Sequence, residues 1–213
     1  MLYEAFNDTF ENVPVKVYRH DLTGKYIWAP MHWHRSLELF VSFEGRNYLN
    51  IGRDDFVFTD TDWTIINSSE LHSARYYSST DRFKGISIII SLPFIEKWIG
   101  KNVYFYNPSD PVVTQKIHTA AMAVYQLDES AEYYSLKLMK YSMELITLLA
   151  EYCIKKDVVY KIPFNKAQSK GTAFLNYIEG NYARELSLNE IAEHFQYTPS
   201  SFSRFFKETV GVN

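Results

Sequence analysis

The 213-residue sequence has few of the features that mark several common classes of protein. It has one cysteine, Cys153, so no disulfide can form within the chain, and such sparse cysteine usage favours a cytoplasmic protein. Its longest uncharged apolar run, residues 85–95, is roughly half as long as a bilayer-spanning helix. The acidic start, MLYEAFNDTFEN, lacks the basic region of a signal peptide. We therefore expect a cytoplasmic protein with no membrane partner.

The sequence also lacks a strong net charge and the common catalytic motifs. The net charge is −3, so the overall field does not attract nucleic acid. The sequence contains no nucleophile elbow, phosphate-binding glycine loop or CxxC motif, and we expect a protein that is not an enzyme. Aromatic residues are abundant at 17%, with 17 Tyr and 15 Phe. This composition favours β-structure and stacking surfaces.

The first hundred residues predict a β-domain. Short runs rich in β-branched and aromatic residues alternate with turn signals such as Glu44-Gly45 and Asn67-Ser68-Ser69. Several short strands at this spacing are typical of a sandwich or small barrel. The predicted strands are 13–18, 36–43, 46–51, 55–59, 63–67 and 85–90.

After residue 107 the hydrophobic pattern takes a helical period. Two segments carry apolar residues every three or four positions, and their apolar surface is wider than a two-residue seam. One face could pack on the β-domain while another meets a second copy of the chain, so we predict a dimerisation hairpin over 108–158; the alternative is two buried core helices. The two stripes are Val113, Ile117, Ala120, Val124 and Leu127, then Leu136, Met139, Met143, Ile146, Ala150 and Cys153.

The last 45 residues predict a helix-turn-helix. Ser187-Leu188-Asn189-Glu190 is a capping box that starts a short helix. A tight turn follows, after which Thr198 can cap a second helix and Pro199 can occupy its first position. Small polar and basic side chains on the outward face would allow approach to a DNA major groove. The alternative is a helical hairpin with a solvated face.

Residues 186–213, LSLNEIAEHFQYTPSSFSRFFKETVGVN, resemble the first helix-turn-helix of the AraC family of bacterial transcription regulators. The resemblance covers about 45 residues from Phe174. It implies that Ser200, Ser203 and Arg204 face DNA bases and that Thr198 and Lys207 face the phosphate backbone. Gln196 departs from the family, which has glycine in the turn, and costs about 1 kcal/mol if its backbone is left-handed.

The resemblance covers only half of the family's DNA-binding domain. Family members continue with a linker helix and a second helix-turn-helix, which this sequence lacks after Asn213. We therefore expect a C-terminally truncated form that by itself binds DNA weakly or not at all.

A cluster of polar residues in the β-domain predicts a ligand site. His32, His34 and Glu38 have the same parity, so on one continuous strand their side chains would project from one face, and His72 follows one hairpin later. These four groups could offer hydrogen bonds to an effector, hold a divalent metal, or form a surface cluster without a role. Phe40 has the parity of Glu38 and is expected to form the pocket floor.

The same spacing resembles the cupin superfamily, whose enzymes use the positions of His32, His34, Glu38 and His72 as metal ligands. The second cupin motif is degraded, because no proline-x-glycine precedes His72. In the sensor domains of AraC-like regulators the pattern instead lines a ligand pocket without a catalytic metal. This resemblance implies an effector site with no cofactor.

Together these features predict an α+β protein: a cupin-like β-barrel (1–107), a helical dimerisation segment (108–158), a linker (159–167) and half of an AraC-type DNA-binding domain (168–213). The predicted function is a homodimeric, DNA-binding transcription regulator with operator DNA and a small effector as partners. A carbohydrate is the effector that the aromatic content and the family suggest. The alternative is a metal-dependent cupin enzyme, a dioxygenase or isomerase, with a helical appendage.

Overall fold

The computed structural model describes residues 2–3, 13–23, 27–52, 54–75, 82–155, 166–181 and 184–210. This part of the chain forms nine strands followed by six helices. The strands are β1 (Leu2–Tyr3), β2 (Val15–Thr23), β3 (Ile27–Trp33), β4 (Leu37–Gly45), β5 (Asn47–Ile51), β6 (Asp54–Phe58), β7 (Trp63–Ile66), β8 (His72–Arg75) and β9 (Arg82–Ile90). The helices are α1 (Leu92–Trp98), α2 (Pro111–Tyr125), α3 (Tyr134–Tyr152), α4 (Lys166–Asn181), α5 (Leu188–His194) and α6 (Pro199–Val210).

The strands form two sheets, a sandwich rather than one continuous barrel wall. One sheet has the strand order β1-β3-β8-β5-β6 and the other β2-β9-β4-β7. Buried residues from both sheets pack together between them: Phe40, Leu49, Phe58, Ile66, Ala74 and Phe83. Each of the six predicted strands overlaps an observed one, while β1, β3 and β8 were not predicted. The predicted α+β class is confirmed, while the predicted β-barrel is observed as two packed sheets.

The four-stranded sheet is buried on both faces. Along β4, Phe40 points to the space between the sheets, while Leu39 and Val41 belong to a second core on the other side. Helices α2 and α3 cover this outer face. The alternation of side chains along a strand therefore separates a side that faces the other sheet from a side that faces the helices.

The outer core takes up most of the first predicted helical stripe but only two residues of the second. Val113, Ile117, Ala120 and Val124 of α2 are buried in it, with Ile146 and Cys153 from the second stripe. On α3, Leu136 remains 68% exposed and Met143 37% exposed. The apolar residues of α3 that pack on the sheet are mainly Leu138, Leu145 and Leu149, which lie outside the predicted stripe. One face of α3 therefore packs on the β-domain, and contact of the other face with a partner chain stays a prediction.

Helices α4 to α6 surround a small aromatic core. Phe174, Ala192 and Phe202 are buried, and Phe195, Tyr197, Phe205 and Phe206 pack partly exposed around them. Helix α4 begins inside the predicted linker, at Lys166, and the remaining linker residues up to 165 lie outside the described part of the chain.

The predicted helix starts in this region are confirmed. Ser187 accepts a hydrogen bond from the backbone N–H of Glu190, and Thr198 Oγ1 accepts one from the N–H of Ser201. The Glu190 carboxylate binds Arg184 instead of reaching back to close the capping box. Gln196 has φ of +59°, the left-handed backbone for which the sequence comparison predicted a cost.

Candidate functional site

The four residues predicted to form the ligand site do lie together, but not on one strand. His32 is near the end of β3, and His34 follows its last residue. Glu38 lies on β4, which belongs to the other sheet, and His72 is the first residue of β8. The prediction of one continuous strand is wrong, because the chain turns at residues 34–36 to pass from one sheet to the other. The residues meet because both sheets direct them inward.

Strand pairing and one turn set the positions of the histidines. β3 pairs antiparallel with β8, and the register places His32 directly opposite His72. The turn before β8 contains Ser69 in a left-handed conformation, and its N–H donates a 2.7 Å hydrogen bond to the carbonyl of His34. This bond brings the start of β8 next to His34.

The three imidazoles converge closely. One ring nitrogen from each of His32, His34 and His72 lies within 4.8 Å of the others. Glu38 Oε2 is 3.1 Å from Nε2 of His34 and 3.3 Å from Nε2 of His72. His34, Glu38 and His72 are buried and His32 is partly buried. The site therefore presents three imidazole nitrogens and one carboxylate in a space shielded from solvent.

Backbone contacts determine which ring nitrogen carries hydrogen. The Nδ1 atom of His32 lies 2.7 Å from the carbonyl of Pro30, that of His34 lies 3.0 Å from the carbonyl of Ser36, and that of His72 lies 2.8 Å from the carbonyl of Glu70. A carbonyl only accepts, so each Nδ1 must donate. In a neutral ring the lone pair is then on Nε2.

This arrangement leaves two hydrogen-bond acceptors, Nε2 of His72 and Oε2 of Glu38, facing each other. The hydrogen-bond geometry between Nε2 of His72 and Glu38 is poor, and this buried nitrogen has no hydrogen-bond partner among the described residues. Burial lowers the pKa of His72 and so favours the neutral ring. Burial would raise the pKa of Glu38, but the neighbouring imidazoles of His34 and His72 outweigh it and hold this pKa well below its ordinary value. An ionised carboxylate beside an imidazole lone pair requires a proton or a cation between them.

These donors fit a divalent transition metal. Imidazole nitrogen suits zinc, copper, iron and nickel, and ligating histidines commonly donate their other ring N–H to a backbone carbonyl. His32, His34, His72 and Glu38 would be the residues that hold the ion. The geometry thus supports the metal hypothesis more strongly than the sequence did, whereas the sequence favoured an effector pocket without a cofactor.

Phe40 lies beside this cluster in the interior. It is buried, stacks on Phe83 with 5.5 Å between ring centroids, and contacts Phe58 edge to face at 5.7 Å. These rings fill the space beyond Glu38 along β4. The position of Phe40 is compatible with the predicted pocket floor, and its contact with a ligand stays a prediction.

Sequence reasoning missed a second polar pair in the interior, His20 on β2 and Ser87 on β9. Their Nε2 and Oγ atoms are 3.1 Å apart, and the His20 ring lies 6.1 Å from Phe83 and 6.3 Å from Phe40. The alternating pattern VKVYRHDLT would have shown that His20 and Tyr18 face one side. It could not have shown that this side is the interior.

His20 makes stability depend on pH. Burial lowers the pKa of His20 from 6.5 to about 4, against the opposing charge of Glu38. The unfolded chain binds a proton at His20 near pH 6.5 and the native chain does not, so the free energy of unfolding should fall as the pH drops from 6.5 to 4. The expected loss from this residue is about 3 kcal/mol. Urea unfolding of the metal-free protein across this range should show it. His20→Gln should remove this residue's share of the loss, leaving the smaller slope due to other groups such as His72, while His118→Ala should not.

The residues predicted to contact DNA are all exposed. Thr198 precedes α6, and Ser200, Ser203, Arg204 and Lys207 lie on its outward side. Phe202, on the opposite side, is buried in the aromatic core. Exposure alone does not test contact with nucleic acid, so the DNA-binding role of these five residues stays a prediction.

Comparison with solved structures finds similarity to cupin proteins. A cupin superfamily protein from Desulfitobacterium hafniense has 12% identity and a TM-score of 0.33, over 37% of this chain and 68% of that one. A Cupin 2 conserved barrel domain protein from Salinispora arenicola has 14% identity and a TM-score of 0.36, over 40% and 71%. Oxalate decarboxylase has 15% identity and a TM-score of 0.32, over 38% of this chain and 22% of that enzyme.

At these identities and TM-scores the similarities carry no argument about function. No protein-family model matches the sequence, and no curated protein matches it. Within the described residues, no helix is both long enough and apolar enough to cross a membrane.

Proposed function

We propose that this chain is an AraC-type transcription regulator that senses a small effector. In this proposal residues 1–107 form the sensor, 108–158 the dimerisation segment and 168–213 half of the DNA-binding domain. The observation that carries it is the pair α5 and α6, joined by residues 195–198 and packed on α4, with a polar and basic outward face. The resemblance to the AraC helix-turn-helix rests on these same residues.

The outward face of α6 has the chemistry that a recognition helix needs. Ser200 and Ser203 are small and exposed, so the helix backbone can approach base edges closely. Arg204 can bind guanine with two hydrogen bonds, and Lys207 can neutralise a phosphate. Thr198 lies at the N-terminal end of the helix, where backbone N–H groups favour a phosphate.

The proposed effector site is the interior cluster of His32, His34, Glu38 and His72 above Phe40. Its imidazole and carboxylate groups can bind the polar groups of an effector, while Phe40 offers an apolar surface. A carbohydrate is one effector class that fits such a mixture. Effector binding would act by favouring one arrangement of the chain or dimer over another.

A DNA-binding titration tests the proposal. A labelled duplex from the region upstream of the encoding gene and a scrambled duplex are compared at low salt by fluorescence anisotropy. Arg204→Ala should weaken binding to the upstream duplex by about 1–3 kcal/mol and reduce the preference for it. Lys207→Ala should weaken both complexes alike and lower the salt slope by about one.

Lys101→Ala is the matched control, because Lys101 is exposed in the loop after α1 and should leave binding unchanged. Equal binding of the two duplexes, or an Arg204→Ala effect no larger than that of Lys101→Ala, would contradict DNA reading by α6.

A second candidate function is that of a metal-dependent cupin enzyme, and one observation favours it. The Nδ1 atoms of three histidines are held by carbonyls, the Nε2 atoms of His34 and His72 lie 3.1 Å and 3.3 Å from Glu38, and one ring nitrogen from each histidine lies within 4.8 Å of the others. A bound divalent metal would supply Lewis-acid or redox chemistry at this point. The protein residues would hold the ion, and Phe40 with its neighbours would exclude water. Metal binding and DNA binding are separate measurements, so the two candidates can be distinguished.

A further inference from the structure

Strand β2 contacts the interior on one side and the helical hairpin on the other through two consecutive residues. Arg19 points outward to α2, and His20 points inward to Ser87. β2 pairs along its whole length with β9, from Val15 opposite Ile90 to Thr23 opposite Arg82. A strand paired at every position moves as a unit, so the two side chains are mechanically connected.

Arg19 holds the end of α2 with an extensive set of hydrogen bonds. Its guanidinium donates to the carbonyl oxygens of Tyr125 at 2.9 Å, Val124 at 3.1 Å and Leu127 at 3.1 Å. It also forms an ion pair with Glu129, in the connection to α3. The last carbonyls of a helix have no partners within it, and the helix dipole makes this end attractive to a cation. Arg19 therefore fixes where α2 ends and where the connection to α3 begins.

His20 is the inward counterpart. It lies beside the Phe40 and Phe83 rings, and the charge of Glu38 reaches it. A molecule or ion that enters the interior next to Glu38 therefore meets the environment of His20. A shift of His20 carries Arg19 with it, because adjacent residues of a paired strand share one backbone.

We propose that β2 couples the interior site to the α2–α3 hairpin, with His20 as the contact inside and Arg19 as the contact outside. A change at His20 or Ser87 loosens or tightens the hydrogen bonds of Arg19 and so alters the connection at residues 126–133. That connection leads directly into α3, on which Leu136 and Met143 are exposed. This inference rests on the proposed function in one respect, that the interior is where the effector binds.

The coupling can be tested without a ligand by a double-mutant cycle read by hydrogen exchange. The variants are His20→Phe, Arg19→Met and the combination, and the readout is amide exchange in peptides spanning 126–133. His20→Phe alone should speed this exchange at least fivefold. In the Arg19→Met background the exchange is already fast, and His20→Phe should change it less than twofold.

Two controls separate coupling from general loosening. Ile66→Val alters the interior from β7, which does not pair with β2, and should leave residues 126–133 unchanged. Arg75→Met removes an exposed arginine from β8, which belongs to the other sheet, and should also leave them unchanged. If His20→Phe does not fold, Ser87→Ala makes a smaller change at the same contact and enters the same cycle.

The coupling would be overturned if His20→Phe left the exchange of residues 126–133 unchanged. It would also be overturned if His20→Phe had the same effect on this exchange with Arg19 as with Met at position 19. The cycle is independent of DNA binding. If Arg204→Ala has no effect on DNA binding but the cycle shows coupling, the interior site is coupled to the hairpin in a protein that is not this kind of regulator. If Arg204→Ala weakens DNA binding but the cycle shows no coupling, the protein is a regulator whose coupling does not run through β2.

Discussion

Replacing His72 with alanine is expected to lower the affinity for a divalent transition metal at least about 100-fold. The Nε2 atom of His72 is buried, lacks a hydrogen-bond partner among the described residues and lies 3.3 Å from the Glu38 carboxylate. Loss of residues that merely support ligands typically costs 10- to 100-fold in metal affinity, so loss of a ligand should cost at least as much. Competition between metal-free protein and a chromogenic chelator for Zn²⁺ measures the affinity directly, and Co²⁺ absorption reports the ligand set.

His118→Ala is the control for this measurement. His118 lies on α2, where its Nε2 contacts the carbonyl of Ser42 at 2.8 Å, outside the cluster. It should leave metal affinity unchanged. If wild-type protein binds Zn²⁺ no better than the His72→Ala variant, the cluster does not hold a metal. Near-stoichiometric metal after purification without added metal would strengthen the enzyme candidate.

The strands that sequence analysis predicted are those with a regular pattern. β4 and β9 are long, apolar and bounded by turn signals, and the prediction located both. β3 contains Pro30 and two register irregularities against β8, so its side chains do not alternate cleanly. β8 has the sequence HSAR, with no β-branched residue, so it lacks the composition of a strand. These two missed strands carry His32 and His72, so the fold around the site was the least predictable part.

The residues of the site were found from their spacing, although the reason offered was wrong. Parity along one strand grouped His32 and His34 with Glu38, whereas the structure unites them across two sheets. Sequence could not reveal that backbone carbonyls hold each Nδ1, because those contacts depend on local turns. His20 was missed since no spacing motif includes it, and only the pairing of β2 with β9 puts it beside Ser87.

The helical stripes show a related limit. A period of three to four residues predicts an apolar face but does not identify what covers that face. On α2 the sheet covers most of the predicted stripe, whereas on α3 it covers mainly Leu138, Leu145 and Leu149, and Leu136 and Met143 of the predicted stripe stay exposed. Dimerisation through 108–158 stays a prediction that depends on these exposed residues.

Replacing Phe174 with alanine is expected to unfold α4–α6 while the β-domain stays folded. Phe174 is 1% exposed, and its ring centroid lies 4.6 Å from that of Phe195 and 4.8 Å from that of Phe202, so one side chain joins all three helices. Removing a buried phenylalanine costs about 3–5 kcal/mol, which exceeds what so small a core can lose. Circular dichroism at 222 nm should lose helix signal. Tryptophan emission should not change, because all four tryptophans precede residue 99. Phe56→Ala, on exposed β6, is the matched control and should change neither signal. If Phe174→Ala instead loses the circular dichroism and the tryptophan signals together, the helices and the sheets unfold as one unit.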